Sequence, residues 1–307
     1  MSRRLKGVAK SFLRAGVSLT LFAWLLSQQD RGQLLAALKA MSPEAFLPAF
    51  SMYLFSQVVS ARRWQIISRS LGFQGNFLTY LKYYFVGMYF NLFLPTGVGG
   101  DFLKVIYLTR DRPEKLKATY TVLIDRALGV GAMIGIGGLA TFFLTSPLPH
   151  HFTLFLQGVG ASVLMALALS RAISPLKGFL SILEKPNTLK VAFLYSITIQ
   201  GLGMGSIAVL GHGMGLDVEI SYYFAMFPLV ALAILLPISF NGIGVREGGF
   251  IYFMGLRGIP QEKALTLSLW FFGIQVVSSL VGGAVYGLGL HRNLHSRSGH
   301  NENTLQL

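Results

Sequence analysis

Eight apolar stretches divide the chain, at about 15–26, 45–60, 78–94, 121–145, 152–170, 190–211, 221–240 and 263–290, and almost all charge falls between them. About 20 apolar residues cross a bilayer as a helix, because the rise is ~1.5 Å per residue and the hydrocarbon core ~30 Å thick. The expected fold class is therefore all-α, a polytopic membrane protein. Composition agrees. Apolar residues make up 53% and charged residues 12% of 307, with mean hydropathy +0.57. A water-covered surface takes roughly twice that charged fraction. The absence of cysteine excludes disulfides, thiolate metal sites and Cys nucleophiles.

The charge is unbalanced, with 26 Lys+Arg against 12 Asp+Glu and a net charge of +14. In a soluble chain this would suggest nucleic acid. Here the cations gather in particular connections. Arg62, Arg63 and Arg69 follow the second stretch, and Lys104, Arg110, Arg112, Lys115 and Lys117 follow the third. Arg171, Lys177, Lys185 and Lys190 separate the fifth from the sixth, and Arg292 and Arg297 lie in the tail. Segments 27–44, 146–151 and 211–221 hold only Arg31 and Lys39. The positive-inside rule puts the rich connections and both termini in the cytoplasm of a multi-pass inner (cytoplasmic) membrane protein. The basic excess is then a topology signal, with attraction to the cytoplasmic leaflet as a second use, and nucleic acid is not expected as a partner. The opening MSRRLKGVAKSFLR is basic, but Ser27-Gln28-Gln29-Asp30 is not a small-x-small cleavage site, so the first stretch reads as a retained span.

Stretch 78–94 has cytoplasmic flanks on both sides, so one crossing does not satisfy it. It runs into Asn91-Leu-Phe-Leu-Pro95-Thr-Gly97-Val-Gly99-Gly100-Asp101, where proline and glycine break a helix. A re-entrant hairpin opening to the cytoplasm is expected, its broken backbone buried in protein or lining a wet cavity. Stretch 221–240 repeats the pattern at Pro237-x3-Asn241-Gly242-x-Gly244-x-Arg246-Glu247 and opens outward. Each half becomes two spans, a hairpin and a span, in opposite orientations. That predicts six transmembrane helices plus two re-entrant hairpins in an inverted repeat. The expected organisation is one domain over 1–291, with repeats at about 12–145 and 152–290, and a polar cytoplasmic tail over 292–307. The alternative counts the hairpin arms as full crossings and gives eight or more spans.

Ionisable groups inside apolar segments cost ~2.5–3.5 kcal/mol or more unless paired or hydrated, so they mark function. Here they are Lys82, Asp101, Asp125, Arg126, Arg246 and Glu247. Freed N–H groups at a broken helix tip bind anions, and an arginine adds a bidentate phosphate donor. The candidate substrate-binding set is Asn91, Pro95, Gly97, Gly99, Gly100, Asp101, Asp125, Arg126, Asn241, Gly242, Gly244, Arg246 and Glu247. The plainer readings make Asp125-Arg126 an interfacial ion pair, Arg246-Glu247 a helix cap, and Lys82 a snorkelling side chain. Catalytic residues, metal and cofactor are not expected. Gly97–Lys104 lacks P-loop spacing, and His150-His151 has no acidic ligand nearby. The Gly-x3-Gly pairs at 131/135, 201/205 and 283/287 read as helix-packing faces.

The three signatures Asn91-Leu-Phe-Leu-Pro95-x-Gly97-x-Gly99-Gly100-Asp101, Asp125-Arg126-x-x-Gly129 and Pro237-x4-Gly242-x-Gly244-x-Arg246-Glu247-Gly248, in this order, resemble those of the lysylphosphatidylglycerol-synthase transmembrane family, whose members are also described as flippase-like integral membrane proteins. In its best-known relatives this region translocates an aminoacylated phospholipid beside a soluble aminoacyl transferase. The resemblance therefore implies a lipid translocase rather than lipid synthesis, moving a phospholipid or lipid-linked head group. Acidic Asp101 and Glu247 would suit a zwitterionic or aminoacylated one. The alternatives are a membrane-embedded partner or transferase in polyprenyl-phosphate glycolipid or phospholipid metabolism. Membrane lipids and a separate lipid-modifying enzyme are the partners implied; the oligomeric state is left open.

Overall fold

A computed structural model describes residues 16–39, 41–93, 99–110, 114–145, 148–169, 186–236 and 238–289. Pro95, Gly97, Arg112, Arg171, Lys177, Lys185, Pro237 and the 292–307 tail lie outside the described residues.

Among the described residues the protein is helical throughout. In order these are α1 (Gly16–Ser27), α2 (Arg31–Lys39), α3 (Pro43–Ser70), α4 (Phe77–Phe93), α5 (Gly99–Leu108), α6 (Lys115–Ala140), α7 (His150–Leu169), α8 (Pro186–Gly213), α9 (Ile220–Leu235), α10 (Val245–Gly255) and α11 (Gln261–Gly287). A short 3-10 turn, Thr141–Phe143, extends α6. The helices of Lys115–Phe143, Asn187–Gly213 and Gln261–Gly287 are long and apolar enough to cross a membrane. Large apolar side chains such as Phe142, Phe143 and Leu194 face outward, as a lipid-covered surface requires.

The second apolar stretch does not end before Arg62. Pro43 begins α3 at a position where its missing N–H costs nothing, and the Ser42 hydroxyl accepts the Ala45 N–H at 3.2 Å. The helix then runs on through Trp64 and Ile67, both fully buried. Arg63 is carried inside with them, where a loop position facing water was expected.

Helices α3 and α8 pack along their length. Small residues permit the approach: Gly213 faces Ala45 and Gly205 faces Met52. The end of α3 and the starts of α6 and α8 share one cluster, Ile67, Ile124, Leu189 and Ala192. The start of α3 and the end of α8 therefore meet at the opposite end.

Helices α4 and α5 are the antiparallel arms of a hairpin, with Tyr83 stacked on Tyr107 at 4.8 Å and Gly87 against Gly100. Its open end lies beside Trp64, whose ring packs on Tyr80 at 5.0 Å. Helices α9 and α10 form a second hairpin, with the Tyr222 hydroxyl donating to the Phe253 carbonyl at 2.5 Å and Gly249 against Val230. Its mouth is tied to the end of α6. Glu219 accepts bonds from the Thr145 N–H and hydroxyl and pairs with Arg257. Burial pushes the Glu219 carboxyl up, but Thr145 and Arg257 outweigh it and hold the group below its ordinary range.

The hairpins lean on different long helices in the same way. Gly282 of the Gly282-Gly283 pair in α11 lies against the backbone of Phe85, in Tyr83-Tyr84-Phe85. A Cβ on Gly137, of the Gly137-Gly138 pair in α6, would strike the Pro228 ring and crowd the Phe224 carbonyl, in Tyr222-Tyr223-Phe224. In each case a glycine lets a hairpin arm approach to backbone contact.

Candidate functional site

The first hairpin sets the site. The Asn91 side chain, near the end of α4, accepts the Gly100 N–H at 2.7 Å. It thereby closes one of the donors that the start of α5 leaves open. Gly100 has no room for a Cβ, which would strike the Gly87 carbonyl. These two features hold the first turn of α5 where Asp101 and Lys104, one turn apart, point into the protein; both are buried.

Asp101 is a shared acceptor. One carboxylate oxygen takes Lys104 Nζ at 3.3 Å, and the other takes Arg126 Nε from α6. Arg126 is the most accessible of the group, with 40% of its side chain exposed. Asp125 does not pair with its neighbour Arg126, because adjacent helical residues point ~100° apart. It pairs instead with Arg63 of α3 at 2.7 Å, and Arg63 also donates to the Ser196 hydroxyl of α8 at 2.8 Å. Asp125 lies ten residues into α6, which begins at Lys115, ahead of the apolar stretch that starts at about 121.

These groups line one cavity of about 630 Å³. Its walls include Tyr53, Gln57, Tyr84, Asn91, Gln200 and Asn241. Three cations (Arg63, Lys104, Arg126) face two carboxylates (Asp101, Asp125), leaving one positive charge in a polar, partly apolar chamber. Such a chamber suits an anionic head group, since paired charges inside a membrane protein tolerate an incoming anion where bare hydrocarbon does not.

The second tip contributes less. Asn241 reaches the cavity and takes a left-handed backbone (φ 51°), with Gly242 (φ 77°) and Gly244 (φ 84°) following. Arg246 and Glu247 do not line the cavity. Glu247 accepts the Gly244 N–H at 2.6 Å and Arg246 at 2.7 Å, and Arg246 lies 4.0 Å over the Phe272 ring. Here the cap geometry is the one formed. Of the charged candidates, Asp101, Asp125 and Arg126 come together, while Arg246 and Glu247 form a separate buried pair. Gly99 starts α5, two residues before Asp101.

Two members were missed. Arg63 and Lys104 are only 5% and 6% exposed, although their neighbours in sequence had marked them as cytoplasmic loop charges. The Asp101–Lys104 spacing of three was the available signal for the lysine. For the arginine it was the stripe Ser56, Ser60, Arg63, Ile67, which recurs along one face of α3 and is buried throughout. The acids also differ from their expected use. Asp101 and Glu247 are taken up by internal cations, so neither stands open for a head-group ammonium.

Residues 11–283 match the family described as Lysylphosphatidylglycerol synthase TM region. Comparison with individual curated proteins gives no match.

Proposed function

The chain belongs to the lysylphosphatidylglycerol synthase TM-region family, and from this premise we propose that it moves a phosphate-bearing lipid between leaflets. Membership makes it a membrane protein related to lipid metabolism or translocation; the translocase reading is our own. The observation that carries it is the 630 Å³ cavity beside the tip of the first hairpin, with three cations and two carboxylates on its wall.

In this reading the first hairpin opens to the cytoplasm and the second to the outside, in six spans and two re-entrant hairpins arranged as an inverted repeat. The matching contacts of Gly282 with Phe85 and Gly137 with Phe224, one in each half, support that arrangement. So does the exchange of partners, α4 on α11 and α9 on α6. The termini are cytoplasmic in an inner membrane. The protein is a transporter, not an enzyme. It works on membrane lipid down a gradient, or coupled to protons through Asp101, Asp125 or Glu247, and a separate lipid-modifying enzyme supplies its substrate.

Topology is checked with single cysteines at exposed positions. Arg69→Cys and Lys115→Cys should label from one side, and His150→Cys and Asp217→Cys from the other. Labelling of 69 and 115 from opposite sides removes the hairpin and the repeat.

Function is checked with fluorescent phospholipid in proteoliposomes, by the fraction that an impermeant quencher reaches. Protein should raise that fraction above the half set by the outer leaflet. Asp101→Asn and Arg126→Gln should each reduce the rate at least tenfold, the scale on which loss of one charge-assisted contact acts. Unchanged rates in both variants would remove the cavity from the mechanism.

A further inference from the structure

The Lys104 ammonium lies 3.9 Å from the centre of the Tyr84 ring and 5.6 Å from that of Trp64. Asp101 completes its surroundings at 3.3 Å. A cation against aromatic faces and closed by a carboxylate is the arrangement by which proteins bind ligand ammonium groups. Here a side chain of the protein fills it. Lys104 is buried, and both it and Tyr84 line the cavity.

We propose that Lys104 sets head-group selectivity by occupying, from within, the slot that a head-group ammonium would otherwise take. This rests on the lipid-binding reading of the same cavity and names the substrate class. The ligand is a phosphodiester monoanion whose head group has no cation of its own, as in a lipid with a glycerol head. A choline or ethanolamine head brings a second ammonium to a place already filled by Lys104, so like charges meet. The surplus of one positive charge matches the single negative charge of such a diester. Removing Lys104 empties the Tyr84 face, frees one Asp101 oxygen and cancels the surplus. All three changes favour a zwitterionic head.

Binding and movement are measured separately, with two fluorescent lipids of equal chain length, one with a glycerol head and one with a choline head. Binding is read from purified protein in detergent, movement from proteoliposomes. The wild type should bind the glycerol-headed lipid roughly tenfold better. In Lys104→Ala the ratio should fall to one or reverse. Tyr84→Leu added to Lys104→Ala should abolish the gained choline binding. Lys104→Met, which keeps the length without the charge, serves if the alanine variant does not fold, and should also lose the preference.

An unchanged ratio in the folded Lys104 variants overturns the proposal, as does a wild type that binds both lipids equally or neither. Selective binding without movement leaves the selectivity role standing and overturns the translocase reading alone. Displacement of the lipid by an equal concentration of free glycerophosphodiester would overturn the lipid assignment and make the ligand a soluble phosphate.

Discussion

Asp125→Ala should destabilise the protein by about 3–5 kcal/mol. Its partner Arg63 has 6% of its side chain exposed and keeps only the Ser196 hydroxyl when the carboxylate is gone. A guanidinium does not shed its proton to escape burial. It must stay charged without a counterion, draw in water, or pull α3 away from α6 and α8. Removing both charges is a different experiment. Replacing a buried ion pair by apolar side chains of similar volume is often neutral, so Arg63→Met with Asp125→Leu should recover most of the loss. Reversible unfolding by sodium dodecyl sulfate in mixed micelles reads both. A single deletion no worse than the double would mean that Arg63 finds another partner on its own.

The second large effect has a sign opposite to the usual one. Glycine to alanine inside a helix ordinarily stabilises by ~1 kcal/mol. Gly203→Ala, whose new methyl would meet nothing within 4 Å, should follow that rule. Gly100→Ala should not. Its methyl would overlap the Gly87 carbonyl, a backbone atom without a rotamer to change. Overpacking of this kind costs ~1–3 kcal/mol. Because α5 carries Asp101 and Lys104, the shift also moves two of the cavity's five charges. We expect Gly100→Ala to lose lipid movement altogether while Gly203→Ala keeps it, measured in the same vesicles. Equal rates would show that the hairpin arms have slack at Gly87.

How much of this was legible depended on whether a residue contradicted its surroundings. Asp101, Asp125 and Arg126 stood out because a charge in an apolar run is costly. Pro95 and the glycines at 97, 99 and 100 stood out because proline and closely spaced glycines disfavour a continuous helix. Arg63 and Lys104 did not contradict anything. Each sat in a row of basic residues that the positive-inside rule already explained, and hydropathy does not report where a helix stops. Pairing was also hidden. Asp125 and Arg126 are neighbours in sequence, yet each finds its partner on another helix. The helix breaks between α4 and α5 and between α9 and α10 followed from proline and glycine, but the seating of these pairs on α11 and α6 needed two short patterns, Gly-Gly and Tyr-Tyr-Phe, too brief to weigh without the contacts between them.

Those glycine contacts also group the helices around the cavity. Gly282 joins α11 to α4, and Gly100 with the Asn91 bond joins α4 to α5. These three helices make one slab, and it carries Asp101 and Lys104. Gly137 and Gly138 likewise join α6 to α9 and α7, and this second slab carries Asp125 and Arg126. The ion pair between Asp101 and Arg126 crosses the seam between the slabs. Helices α3 and α10 also bridge the slabs, but this pair is the bridge that closes the cavity at its most exposed cation. A phosphate reaching the cavity therefore meets a guanidinium already engaged by Asp101, and binds by competing with a carboxylate for it.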